Sequence, residues 1–247
     1  MKSFAKQLLN KKFWVGVATC LALSATTASA AKIAVIAGSI EDGFFNLIKK
    51  GVDDATLVVE ANGGSVNYLR TQNYDNFGPD LVQLINTAVS QDVDGIAIPV
   101  WVPESQVPAL QSAAAKGIKI MMYNSGANVK EDISGINYFG SDEYVAGVAG
   151  GEYMAKNGAK KILCHIQIPG AVNLETRCNG VVDGAKKYGV QVKRLPLTAN
   201  LDQNVTGTAE AIKAELLKDP SIDAVITLAA WASDAASVGI QQAGRMG

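Results

Sequence analysis

From Lys32 to Ala243 the chain switches between short apolar runs and segments whose apolar residues recur every three or four positions. Lys32–Gly38 (KIAVIAG) reads as a strand. Phe44–Asn62 follows with Phe44, Ile48, Val52, Ala55 and Val59 on one face, a helical period that Gly63 and Gly64 end. The same alternation gives strands over 66–70, 95–100 and 119–123, with helices around Leu81–Ala88 and over 103–116. A polar, glycine-bearing break occupies 124–136. After it come a short strand at 138–140 and a helix capped by Asp142 that runs to about Asn157. Strands at 161–166, 190–196 and 224–228 then alternate with helices at 174–188, 204–218 and 232–243. Strands that are nearly continuous apolar runs belong to parallel sheets covered on both faces by helices. The expected fold is α/β: two doubly wound parallel-sheet domains joined by a hinge, over 31–141 and 142–247. The second series holds fewer strands and stops directly after a helix, so the second domain reads as incomplete and the chain as cut short.

The first thirty residues stand apart. Lys2, Lys6, Lys11 and Lys12 precede an apolar stretch from Phe13 to Leu23 and a small-residue run ending Ala28-Ser29-Ala30. That is the layout of a secretory signal peptide with an A-x-A cleavage site, and the apolar run is too short for a permanent span. The working protein then starts near Ala31 and is expected outside the cytoplasm. Thr19 before Cys20 departs from the small residues that lipoprotein sites place there. All four charges of the leader are lysines, so 18 of the 22 basic residues remain against 23 acidic ones, a net charge of −5. An acidic surface of that kind excludes nucleic acid as a partner. Cys164 and Cys178 remain after Cys20 is removed, either as a disulfide of an oxidising compartment or as two buried thiols. With His165 they make too few ligands for zinc.

Ligands of open parallel sheets bind beyond the carboxyl ends of the strands. Those positions hold Asp42, Phe44 and Phe45 after the first strand, Trp101 after the third and Asn124 after the fourth. In the second series they hold Gln167 and Arg177 after the first strand and Trp231 after the last. Aromatic rings beside amides, carboxylates and a guanidinium suit a polyhydroxylated molecule, whose apolar faces stack and whose hydroxyls are taken in pairs. Each residue also has a plain structural reading. Asp42 is a helix-start acid, one of the two phenylalanines a core residue, Trp101 and Trp231 packing, Asn124 a turn former, and His165 a structural histidine. Arg177 near a helix start is disfavoured by the dipole, which points to a ligand or ion-pair role. GSIEDG lacks the spacing of a dinucleotide loop, and neither a G-x-S-x-G elbow nor a partner for the single histidine occurs. No catalytic group, cofactor or metal is expected.

Ordered motifs resemble one family. Glu41-Asp42-Gly43-Phe44-Phe45 followed by KKGV is similar to "N-N-P-F-F … GA", and IKIMMYNS (118–125) to "I-P-V-V-x-x-D-R/N-S". The 140–151 stretch with Gly147 and Gly151 resembles "D-x-x-x-G-x-x-x-G", and Arg177 with Asn179-Gly180 resembles "R-x-x-G". These are motifs of the periplasmic sugar-binding proteins of bacterial ABC importers, type I, the ribose-binding-protein-like group. The resemblance implies a monomeric solute receptor, not an enzyme, that delivers a sugar or polyol to a membrane ABC permease. It implies hydroxyl contacts from Asp42, Asn124 and Arg177 and stacking by Phe44 and Phe45. Ala229 and Ala230 stand where the family has a polar ligand residue, so that either Trp231 substitutes by stacking or this part of the pocket is apolar. On this reading Arg177→Ala weakens binding and leaves the melting temperature nearly unchanged. The other readings are a receptor for a cyclitol or signalling furanone, one that feeds a chemoreceptor, an exported enzyme, and a truncated remnant.

Overall fold

The computed structural model describes residues 30–246. The leader reading and Cys20 lie outside the described residues. The first half carries β1 (Lys32–Ala37), α1 (Gly43–Ala61), β2 (Ser65–Arg70), α2 (Phe77–Ser90), β3 (Gly95–Ile98), α3 (Pro103–Ala115), β4 (Lys119–Tyr123) and β5 (Asn137–Phe139). The second carries α4 (Glu143–Lys156), β6 (Lys161–Ile166), α5 (Val172–Lys186), β7 (Gln191–Pro196), α6 (Val205–Lys218), β8 (Ala224–Ile226) and α7 (Ala230–Gln242). Every expected element is present, with boundaries shifted by a few residues. The largest shift is at the second helix, which begins at Phe77.

All strand pairs are parallel, in the orders β2-β1-β3-β4-β5 and β7-β6-β8. The chain steps from β1 outward to β2 and then returns past β1 to β3. With right-handed crossovers this puts α1 on one face of the sheet and α2 and α3 on the other. The second half repeats the move around β6. The topological switch therefore lies between β1 and β3 in one sheet and between β6 and β8 in the other, which fixes where crevices open. A further device recurs in both halves. Asp94 accepts from the Lys32 backbone N–H (2.7 Å), and Asp223 accepts from those of Lys160 and Lys161 (2.9 and 3.0 Å). In each case a carboxylate just before one strand, β3 or β8, pins the start of the neighbour it pairs with, β1 or β6.

The core is built from strand faces that carry no polar atoms. Ile36, Ile96, Ile98, Ile120 and Met122 meet Leu81, Ile85 and Leu110, all fully buried. Ile162, Ile166, Val181 and Ala185 continue this cluster in the second half. Leu163 faces Ile212, Leu216 and Ile222 on the opposite side of β6. Cys164 of β6 and Cys178 of α5 form a disulfide with Cα atoms 6.2 Å apart, which decides between the two cysteine readings. Closing a loop of 14 residues is worth about 3 kcal/mol in chain entropy.

Helices α4 and α5 cross backbone to backbone. A Cβ added at Gly147 would lie 2.0 Å from the Arg177 carbonyl oxygen, and one at Gly151 2.3 Å from that of Val181. From the other side, a Cβ at Gly180 would lie 2.3 Å from the Tyr144 oxygen, and one at Gly184 2.2 Å from that of Val148. Two glycines spaced by four on each helix give a flat stripe, and only such stripes allow this approach. The crossing sets where the first turns of α5, and hence Arg177, can stand.

Candidate functional site

The loop after β1 is organised by charge. Asp42 is the N-cap of α1, accepting from the Phe44 backbone N–H at Oδ1 (2.9 Å) and from the Tyr74 hydroxyl at Oδ2 (2.8 Å). It is thus a cap rather than a first-turn acid. The Arg70 guanidinium ties the same loop together, donating to the carbonyls of Gly38 (3.1 Å) and Ser39 and to Oδ1 of Asn46 (2.6 Å). Asp42 is 8% exposed, and burial raises its pKa above the usual carboxylate value against the lowering effect of Tyr74, the Phe44 N–H and Arg70. Burial and the Asp42 charge push the Tyr74 phenol upward as well.

Phe45 is a core residue, 3% exposed, and Phe44 is 53% exposed, so the expected division between the two holds. Phe45 stands edge-on to Trp101 (5.4 Å, 86°), and Phe77 stacks on Trp101 (5.2 Å, 30°). Trp101 is held by a buried amide. Gln106 Oε1 accepts from the backbone N–H groups of Trp101 (2.8 Å) and Val102 (2.9 Å), while its Nε2 donates to the Pro99 carbonyl (2.9 Å). Gln106 so reaches back to the N–H groups of the cap residue Val102 and its predecessor, as the glutamine of a capping box does for its cap residue. The Trp101 indole N–H donates to Asn124 Oδ1 (2.9 Å). Because the indole is only a donor, this bond fixes which way the Asn124 amide points. Asn124 has φ 62°, the left-handed region that asparagine tolerates, and the Tyr138 hydroxyl donates to its carbonyl (3.1 Å).

In the second half Arg177 Nε donates to Glu143 Oε2 (2.5 Å), and the two side chains form an ion pair at the head of the α4/α5 crossing. Glu143 is 10% exposed; burial raises its pKa and Arg177 opposes that rise. The pair replaces the expectation that removing Arg177 leaves stability nearly unchanged, since the substitution would strand a largely buried carboxylate. Gln167 and Asn173, each 8% exposed, have amide oxygens without a hydrogen-bond partner. His165 is fully buried with neither ring nitrogen partnered, and burial lowers its pKa to about 4. It stands edge-on to Trp231 (6.3 Å, 87°).

A cavity of about 810 Å³ opens between the carboxyl ends of the two sheets. Asp42, Phe44, Phe45, Trp101, Asn124, Gln167, Arg177 and Trp231 all line it. Ala229 and Ala230 line it too, so the wall after β8 is apolar apart from the Trp231 ring. Further lining residues were not singled out from the sequence: Tyr74, Phe77, Glu143 and Asp202. Tyr74 follows β2 and Asp202 follows β7. Extending the strand-end rule to the outer strand of each half would have found both. Asp202 carries the largest carboxylate shift, raised to about 7 by burial and then by the Asp42 carboxylate.

Residues 33–247 match the model of the periplasmic binding protein domain. The chain belongs to that family. Solved structures agree. A carbohydrate transporter from Acidothermus cellulolyticus 11B, in complex with myo-inositol, is 34% identical with a TM-score of 0.76; the match covers 87% of this chain and 71% of that one. An ABC transporter solute-binding protein from Burkholderia graminis C4D1M, in complex with D-arabinose, is 26% identical with a TM-score of 0.72, covering 87% and 72%. A periplasmic sugar-binding protein from Legionella pneumophila shares the fold at 22% identity and a TM-score of 0.75, covering 87% and 77%. No protein of curated function matches the sequence. The fold of this binding protein is therefore the expected type I arrangement, with a second sheet of three strands beside one of five.

Proposed function

We propose that this chain is a periplasmic solute receptor that captures a sugar or polyol between its two halves and presents it to an ABC permease. The observation that carries the reading is the cavity itself. It sits at the switch points of both sheets and joins aromatic rings to amides, carboxylates and a guanidinium. Asp42, Asn124, Gln167 and Arg177 supply hydrogen bonds to hydroxyls; Phe44, Phe45, Trp101 and Trp231 supply ring faces. The halves 31–141 and 142–247 act as two domains that close about the crossing after β5. Residues 1–30 act as the export signal. The protein works as a monomer, without a cofactor and without chemistry of its own.

The myo-inositol in the 34% identical neighbour favours a cyclitol within the polyol class. The test is a thermal melt of the purified protein with pentoses, hexoses, cyclitols and furanones. A ligand at one hundred times its Kd adds about 2.7 kcal/mol, which for a chain of this size raises the midpoint by roughly 5–11 °C. A cooperative melt that no sugar or cyclitol moves would overturn the reading, and a shift with furanones alone would transfer the site to signalling molecules.

A further inference from the structure

The charges on the cavity wall do not balance. Its acidic side chains are Asp42, Glu143 and Asp202, against one cation, Arg177, which is already paired with Glu143. Asp42 and Asp202 make no salt bridge with any lysine or arginine among the described residues. Asp42 comes from the loop after β1 in the first half, and Asp202 from the loop after β7 in the second. After burial, the Asp42 carboxylate is the main influence raising the pKa of Asp202, and Glu41 adds to the negative field there. Asp202 is the less satisfied of the two. Among the described residues its carboxyl is approached by hydrogen-bond donors of Gln203 alone, the side-chain amide at a long 3.3 Å and the backbone N–H.

A neutral ligand that filled this space would expel water from both carboxylates, leaving Asp202 with no cation and Asp42 with only the field of Arg70, which makes no salt bridge to it, a costly arrangement. A divalent metal is a poor solution. Hard cations take six or more oxygens, and no cluster of three acidic, histidine or cysteine side chains occurs among the described residues. A single positive charge on the ligand answers the imbalance for both halves at once. The rest of the wall suits it. Phe44, Trp101 and Trp231 present aromatic faces of the kind that attract cations. The unpartnered amide groups of Gln167 and Asn173, nine-tenths buried, leave hydrogen-bonding capacity for hydroxyls beside the charge.

We propose that the ligand is a polyol bearing a protonated amine, an amino sugar or an aminocyclitol, whose ammonium group lies between Asp42 and Asp202. The inference rests on the polyol-receptor reading above and names the chemical class within it. The ammonium donates to one carboxylate from each half, so it rewards the closed state in particular. Anionic sugars, such as uronates and sugar phosphates, are rejected by the same field.

The experiment is calorimetric titration of the purified protein at pH 7 with matched sets: myo-inositol against an amino-deoxy inositol, and galactose against galactosamine, N-acetylgalactosamine and galacturonate. In at least one set the amine binds ten times or more tighter than its hydroxyl parent. N-acetylation, which removes the charge and keeps the nitrogen, abolishes that advantage. Asp202→Asn reduces the amine-to-parent ratio at least tenfold. The wild-type ratio alone decides the matter if that variant folds poorly. A parent sugar that binds as tightly as its amine, or an N-acetyl form that equals the amine, overturns this inference and leaves the polyol receptor standing. Binding by no member of any set overturns both.

Discussion

Alanine at Gly147 is the sharpest test of how Arg177 is positioned. The added Cβ would lie 2.0 Å from the Arg177 carbonyl oxygen and 3.0 Å from the Gly180 Cα. The obstacle is helix backbone and has no soft end to swing aside, so α4 and α5 must part by about 1 Å before the contact becomes tolerable. Overpacking of a well-packed contact costs about 1–3 kcal/mol. The upper part of that range applies here, because separation also loosens the contacts at Gly151, Gly180 and Gly184. A loss of about 3 kcal/mol lowers the melting midpoint of a chain this long by roughly 6–12 °C. Moving α5 also stretches the Glu143–Arg177 pair at the cavity wall, so ligand affinity falls together with stability. The control is the same substitution at Gly51, in the middle of α1, where an added Cβ meets nothing within 4 Å. There alanine gains about 0.5–1 kcal/mol from helix propensity alone. Urea and thermal unfolding of both variants, with ligand titration of each, measure the contrast. A Gly147→Ala midpoint within 2 °C of wild type would refute the close crossing and the route by which it places Arg177.

Two further expectations concern charge. Arg177→Ala leaves Glu143 without its hydrogen-bonded cation and costs about 1.5–3 kcal/mol, the range for hydrogen bonds to charged groups. Adding Glu143→Gln recovers part of that loss in a double-mutant cycle, whereas additive losses would mean that the pair is not formed in solution. The pH dependence follows from Asp202, whose folded pKa of about 7 lies above the carboxylate value of the unfolded chain. Between about pH 4 and pH 7 the folded state therefore holds more protons, and stability falls as pH rises through that window. Asp202→Asn removes this slope: its gain over wild type is near zero at pH 4, grows to a maximum above pH 7, and is read from thermal midpoints across the range. His165, lowered to about 4, acts in the opposite sense and lowers stability as pH drops below about 6.5. A gain for Asp202→Asn that is the same at every pH would show that the Asp202 carboxyl is not perturbed.

Much of this was legible in the sequence because it is local. The strand KIMMY and the helix closed by Gly63-Gly64 declare themselves by period and punctuation. The rule that crevices open at the carboxyl ends of strands then placed eight residues that line one cavity. What stayed hidden depends on contacts between distant segments. Neither the helix-dipole argument nor the motif around Arg177 says that Glu143, 34 residues away, will meet it. Gly147, Gly151, Gly180 and Gly184 read as weak points within helices until the two stripes are seen face to face. Asp202 looks like an ordinary loop acid, and its perturbation comes from burial in the cleft and then from a second carboxylate of the other half, neither of which is local in the sequence.

The Gln106 amide has a mechanical consequence. By bonding Pro99, Trp101 and Val102 it turns a loop into a stiff bracket. The same bracket offers the Trp101 carbonyl to the Val172 backbone N–H at the start of α5 (2.8 Å). One face of it is therefore a wall of the cavity, and the other is a stop against which the second half rests. If the two halves close as proposed, closure would end at a position set by covalent geometry and a buried amide, whatever the occupant's size. On that reading a molecule too large for that position would hold the halves apart and fail to register as cargo. The selectivity of such a receptor resides as much in where its jaws are made to stop as in what its side chains touch.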